Sequence, residues 1–523
     1  MDFGNTNNNP VRDWSERDLI RWPGFVGAGG RPERSPHSVA YNGSYYPRGG
    51  PWELLVLLAN SAGVDLWLTV PCRASDDYLL KLAQLLKYGS DGVEPYTSVQ
   101  AHPVYPPLNP DRKIYLEFGN EIWNTAGAFM NHEWVSEFSE AARLTRYHPI
   151  NYDGMATADS GLALVRYTAY RSAALSFAFR EVFGDDAMMT RVRPILASWA
   201  SDGGGTLSGA LRWADGYFAP DYVPHEIWYG AGGAAYYDSA SDPSSADAAV
   251  VSAYFAGLPN SSFARQTAAD SQWTRLYGLK LISYEGGPSI GGTATGGIGA
   301  NASLAEFYGA DPRMKDRMIA AHQIWDSYGG DTLVYYTLGG TGPWGFGSST
   351  ATASPTDTMK LQAIDAIRGM PVTSVADAGT TLAATGTTSI PTVTSNAAVS
   401  AAGAYWTGTG GFYSLRYAAA IGNAYNTGSL LFTVKTAVAG DYDITLTAEA
   451  PAATLSLRVN DRTTTTAGAP AVFTLATPAN TQTVSAPLRM ALPAGLSSIR
   501  LQVIEPSAQN ANLHSVNLTP VAP

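Results

Sequence analysis

Residues 113–124 read KIYLEFGNEIWN. The apolar run ends at Phe118, and Gly119, Asn120 and Glu121 follow before Ile122 and Trp123. A glutamate placed there sits where a parallel strand leaves its sheet, and period-2 alternation sets Glu117, Gly119 and Glu121 on one side of that strand. A second stretch, ISYEGGPS at 282–289, repeats the pattern, with Ser283 and Glu285 on one side. In α/β barrels the C-terminal rim of the strands is where active sites are built.

Working outward, short apolar runs predict further strands at Val64–Pro71, Arg193–Trp199, Tyr222–Tyr229 and Thr332–Leu338, beside Lys113–Glu121 and Lys280–Glu285. Amphipathic stretches predict helices at Pro51–Ala62, Asp77–Tyr88, Gly161–Phe183 and Pro312–Tyr328, with long loops at 125–159 and 230–271. This alternation is the βαβα signature of a parallel sheet or barrel and runs through residues 1–370. From Pro371 the composition turns to Thr, Ala, Ser and Gly. Residues 371–403 read as a linker or a loosely patterned first strand. Period-2 stretches at Ser429–Thr436, Gly440–Glu449, Ala453–Asn460, Ser498–Val503 and Leu513–Thr519 then predict an all-β sandwich over 404–523. Six acidic and six basic residues follow Met370, so the net charge of −11 lies wholly in the first unit.

The remaining composition removes whole classes of function. With 523 residues, two or three units are expected. The acidic balance argues against nucleic acid, and no apolar run approaches the ~20 residues that span a bilayer. A single cysteine, Cys72, excludes an intrachain disulfide and a cysteine-based metal framework. Neither HExxH nor a phosphate-loop motif occurs, and Gly203–Gly205 and Gly291–Gly299 read as loops, so no metal and no cofactor are expected. Aromatic residues make up 11% of the chain, and the flat faces of its Trp and Tyr rings suit sugar binding. The chain opens MDFGNTNNNP with no signal peptide, which predicts upstream sequence, including a targeting segment.

Two strand-end glutamates can flank a glycosidic bond, one protonated to assist the leaving group and one ionised to attack the anomeric carbon. The structural alternative has Glu121 capping the next helix and Glu285 pairing with a basic residue. GNEIWN followed three strands later by YEGG resembles clan A, the (β/α)8 clan of retaining glycoside hydrolases. The resemblance covers roughly residues 1–345. It implies a TIM barrel with Glu121 as acid/base and Glu285 as nucleophile, their carboxyl groups about 5–5.5 Å apart. Counting strands back from Glu285 makes Met1–Gly4 the second and leaves the first strand missing from this chain. Asn120 would orient substrate. Tyr229, on the same side as His225, would stand against the nucleophile. Trp344 in GGTGPWGFG would stack on sugar, and Trp199 and Trp123 would line the barrel mouth. Arg12 is the nearest candidate for a strand-two arginine, and its surface-salt-bridge alternative is the better bet. Asn124 is read as holding its loop, and His132 and His148 as structural.

The second unit resembles jelly-roll carbohydrate-binding modules through AGDYDITLTAEAPAATLSLRVNDR and LPAGLSSIRLQVIEP…NLHSVNL. Trp406, Tyr413 and Tyr417 could stack on a sugar there. His514 stands where such modules hold an acidic residue, and no calcium site is expected. Together these readings predict an enzyme that cleaves β-glycosidic bonds of a polysaccharide or oligosaccharide by double displacement, secreted or periplasmic. The alternative is a non-catalytic carbohydrate-binding protein on a decayed barrel. A barrel short of a strand exposes an edge, so sandwich and barrel are expected to pack as one unit.

Overall fold

The computed structural model describes residues 52–125, 130–200, 205–241, 243–291, 302–340, 342–347, 354, 356–372, 375, 379–392, 399–402, 405–406, 413–415, 429–449, 453–459, 471–477, 481–503 and 511–522. Met1–Gly4, Arg12 and Tyr417 lie outside them. Among the described residues, eight strands form the first part: β1 (Leu66–Val70), β2 (Ile114–Phe118), β3 (Val192–Ser198), β4 (Gly230–Gly233), β5 (Ala235–Tyr237), β6 (Lys280–Ser283), β7 (Gly286–Pro288) and β8 (Gly330–Leu333). Six of them make one parallel sheet in the order β1-β2-β3-β4-β6-β8, while β5 and β7 form a separate parallel pair.

That sheet is curled. In a flat sheet β1 and β6 would lie about 19 Å apart, four spacings of ~4.8 Å. Instead Trp67 of β1 shares one buried cluster with Ile195 of β3, Ile282 of β6 and Tyr284 just beyond it. Only a sheet bent toward closure brings those side chains together, so the described strands form a half-barrel. Helices cover its outer face. The Asp76–Tyr88 helix starts where Ser75 accepts from the Tyr78 N–H and stops at Gly89, whose φ of 83° suits a residue without a β-carbon. Its Leu79, Leu82 and Leu86 are buried in the same cluster as Leu66, Leu68 and Val70 of β1. The Ser160–Phe183 helix is capped by Asp159 and ended by Gly184.

Three expectations need correction, the first being the loop at 125–159, which holds the Met130–Arg143 helix. Tyr222–Tyr229 is not a strand: Pro224–Ile227 forms a short helix, and the strand follows as β4. Proline fits a first helical turn, where its missing N–H costs nothing. β4 is GAGG because its neighbours leave no room. A β-carbon on Gly230 would come within 2.3 Å of Ile282 Cγ1, and one on Gly232 within 2.2 Å of the Ile282 carbonyl. Nor is 230–271 one long loop, since it holds β4, β5, the Ala248–Ala256 helix and most of the Ser261–Leu276 helix.

The later residues form two antiparallel-rich sheets that share one core. Leu430, Phe432, Val434, Ile499 and Leu501 of one sheet meet Ile444, Leu446, Leu513, Val516 and Leu518 of the other. Thr388–Pro391 pairs with Ala511–Pro520, and Thr380–Thr381 with Val434 and Lys435, so the 371–403 stretch supplies strands to both sheets. The two parts touch. Leu431 joins the cluster of Trp273, and the Arg500 guanidinium lies 5.3 Å from the Trp273 ring centroid. The sandwich therefore backs the Ser261–Leu276 helix, behind β4 and β6. No described helix is long and apolar enough to cross a membrane.

Candidate active site

β2 and β6 are separated by β3 and β4 in the curled sheet, and each delivers its glutamate just past its last strand residue. Glu121 and Glu285 are both buried, at 7% and 3% exposure. Both carboxyl groups act electrostatically on the same two tyrosine hydroxyls. Burial first, and then Glu285 and Glu121, push the Tyr236 hydroxyl far above its ordinary value. Burial, then Glu121, Glu285 and Glu117, do the same to Tyr284. Both phenols therefore stay protonated, and the Tyr284 hydroxyl donates to the Ser198 carbonyl at 3.3 Å.

Glu121 sits in a tight turn. Its φ is 43°, Gly119 before it has φ 62°, and Asn124 Nδ2 donates to its Oε2 at 2.7 Å. Asn120 is buried, and its amide nitrogen has no hydrogen-bond partner among the described residues. Glu117, one strand turn lower, accepts from Trp67 Nε1 at 3.0 Å and Thr69 Oγ1 at 3.2 Å and serves the barrel interior.

Aromatic side chains border the site. Trp123 and Trp199 stack with centroids 5.8 Å apart and planes 19° apart. Trp123 Nε1 donates to the Tyr284 hydroxyl at 3.0 Å, while Trp199 is 51% exposed. Trp344 follows β8 and donates from Nε1 to Ser289 Oγ at 3.1 Å, four residues beyond Glu285. A cavity of about 30 Å³ lies behind Glu121, lined in part by Gly119, Trp123, Ala197, Ser198 and Thr206, with room for about one water.

The structure thus brings together Glu121, Glu285, Asn120, Trp123 and Trp199, with Trp344 on the β8 side. It does not bring Tyr229 there. Tyr229 precedes β4, so it sits at the N-terminal end of the half-barrel, where its hydroxyl donates to Asp331 Oδ2 at 3.0 Å. The Arg193 guanidinium lies 4.3 Å from its ring centroid. The tyrosine that faces the carboxylates is Tyr236, which the sequence reading missed because it placed the strand one segment too early. The signal was the run GAGGAAYY, where glycines in a strand mark close backbone approach. His225 meets the Tyr277 carbonyl from the short helix, and His148 caps the Pro149–Asn151 turn; neither reaches the carboxylates. In the sandwich, Trp406 and Tyr413 are register partners, and His514 Nε2 lies 3.3 Å from Glu449 Oε2.

No family model matches the chain, and no curated protein matches it in sequence. Among solved structures, partial similarity reaches a GH26-CBM35 β-(1,4)-mannanase of Podospora anserina, with TM-score 0.20 and 18% identity over 26% of this chain and 28% of that one. It also reaches a family 35 carbohydrate-binding module of Clostridium thermocellum, with TM-score 0.20 and 14% identity over 25% and 97%. An isomalto-dextranase of Arthrobacter globiformis T6 gives TM-score 0.19 and 18% identity over 25% and 23%. The chain spans about a quarter of the length of either enzyme, and overlaps this small carry no argument about function.

Proposed function

We propose that the chain is a retaining glycoside hydrolase acting on a β-linked polysaccharide or oligosaccharide, with Glu285 as nucleophile and Glu121 as acid/base. The observation that supports this most is the convergence of two buried strand-end carboxyl groups on the same pair of tyrosine hydroxyls. Carboxyl groups held this way can divide the work of double displacement. Glu285 attacks the anomeric carbon and forms a glycosyl-enzyme, while Glu121 gives its proton to the departing oxygen. Glu121 then takes a proton from the water that releases the sugar. Tyr236 stays a neutral phenol in the field of the nucleophile. Asn120 holds a sugar hydroxyl, and Trp123, Trp199 and Trp344 offer ring faces to the sugar planes. The sandwich is proposed as a carbohydrate-binding module, and the protein as secreted or periplasmic.

A panel of aryl β-glycosides tests the reading. Release of nitrophenol from at least one member, with the anomeric configuration retained in the first-formed product, supports it. Inverted product, or carboxyl oxygens more than ~8 Å apart in a crystal structure, would replace double displacement by direct attack of water.

A further inference from the structure

The turn that carries Glu121 is one that a side chain resists. A φ of 43° lies in the left-handed region, where a β-carbon crowds the backbone, and the neighbouring Gly119 shares that region. A conformation of this kind persists when its surroundings over-determine it. Two consecutive residues at the start of the Met130–Arg143 helix supply the restraint, and each takes hold of a carbonyl on one side of Glu121.

Asn131 is fully buried and donates from Nδ2 to the Asn120 carbonyl at 2.8 Å. His132 Nδ1 lies 2.9 Å from the Ile122 carbonyl. A carbonyl only accepts, so Nδ1 carries the proton, and Nε2 accepts from Ser136 Oγ at 3.4 Å. The orientation of the Asn131 amide is fixed in turn by Cys72, whose Sγ lies 3.3 Å from Oδ1. The thiol can only be the donor to that oxygen, so the amide nitrogen must point at Asn120. Burial pushes the thiol up to about 12, so it keeps its proton. Gly119 N–H to Val70 O, at 2.7 Å, ties the other end of the turn to β1.

We propose that Asn131 and His132 are positioning residues for the Glu121 carboxyl. They act through the Asn120 and Ile122 carbonyls, with Cys72 setting the Asn131 amide. The inference rests on the acid/base role of Glu121. Neither residue touches the carboxyl itself. Their effect is to aim it, and a shift of about 1 Å in a reacting group is enough to cost on the order of 100-fold in rate.

The test uses the full chain and four variants: Asn131→Ala, Asn131→Asp, His132→Ala and His132→Asn. A misaimed acid harms substrates that need protonation of the leaving group and spares those that do not. Asn131→Ala, Asn131→Asp and His132→Ala should therefore lose about 10–100-fold in kcat/KM on an alkyl β-glycoside and less than about threefold in kcat/KM on the 2,4-dinitrophenyl glycoside, because kcat/KM reports the glycosylation step alone. The basic limb of their pH profiles should move as well. His132→Asn places an amide N–H near the lost Nδ1–H and should recover most of the activity. Equal losses on both substrates, tracking a lower melting temperature, would overturn the proposal, as would unchanged rates. If the wild-type chain turns over no glycoside, the glycosidase reading fails, and the crystal structure of Asn131→Ala decides the positioning claim alone. Glu121 leaving the left-handed region supports it; Glu121 staying near its present φ overturns it.

Discussion

At the N-terminal end of the half-barrel, Arg193 lies between two tyrosine rings, 4.3 Å from the Tyr229 centroid and 5.3 Å from that of Tyr115. It donates to the Tyr115 hydroxyl at 2.5 Å, and Tyr229 donates to Asp331. At the C-terminal end, tyrosines again meet charged groups, but the charges are the carboxyl groups of Glu121 and Glu285, which bear on Tyr236 and Tyr284. The lower cluster joins a cation and an anion through aromatic side chains, an arrangement that favours the folded state. The upper one gathers like charges in a buried setting, which is costly for folding and useful for chemistry. The half-barrel thus holds a stabilising plug at one end and the proposed reactive carboxyl groups at the other.

Four substitutions would break or sharpen that contrast. Glu285→Ala should lower kcat by about 10⁴-fold or more, as removal of a nucleophile does, with the fold intact. Azide should restore turnover and yield the inverted glycosyl azide, observable by NMR. Glu121→Ala should cost about 10²–10⁴-fold in kcat/KM on substrates with poor leaving groups and far less in kcat/KM on activated ones. Identical leaving-group profiles for these two variants would contradict the division of roles.

Asp270 gives the third test. It is buried on the Ser261–Leu276 helix and accepts from the Gly233 N–H at 2.9 Å, at the rim end of β4. Burial raises its carboxyl from 3.8 to about 7, against the pull of that N–H. The folded chain therefore keeps a proton that the unfolded chain releases. Its contribution to stability is full below about pH 4, is lost as the pH rises toward 7, and stays lost above. Asp270→Asn removes the ionisation and should raise stability at pH 8 by about 2–4 kcal/mol relative to pH 4, read as the pH dependence of denaturant midpoints. The smallest effect belongs to the lower end. Tyr229→Phe should cost about 1 kcal/mol of stability and leave kcat unchanged. A loss of rate there would mean that the two ends are coupled.

How much of this was legible follows the physics of each segment. Buried parallel strands are continuous apolar runs, so β1, β2 and β3 stood out, and with β2 came the placement of Glu121. β4 could not stand out. It is four residues with almost no side chain, made glycine-rich by the crowding of Ile282, while the aromatic run before it imitates a strand. That single displacement moved the predicted tyrosine from the reactive end to the plug. The helix of Asn131 and His132 was hidden in what read as a loop, and its grip on the Glu121 turn depends on side-chain geometry that no period in the sequence encodes. The sandwich strands alternate with period 2 and were legible, while their seat against Trp273 depended on the outer face of one sheet, where Leu431 breaks the polar pattern and Arg500 is buried against the ring.

The left-handed backbone at Glu121 also bears on what selection for robustness alone would do to this chain. Glycine adopts that conformation without penalty, asparagine more readily than most residues, and a glutamate there forgoes about 1–2 kcal/mol. A library randomised at residue 121 and sorted only for survival on heating should fill with glycine and asparagine, every clone tougher than the parent and none able to act as the acid. With Glu121 as the proposed acid/base, heat resistance and catalysis compete at this one position, and a stabilised scaffold obtained that way would keep the site's shape while losing its chemistry.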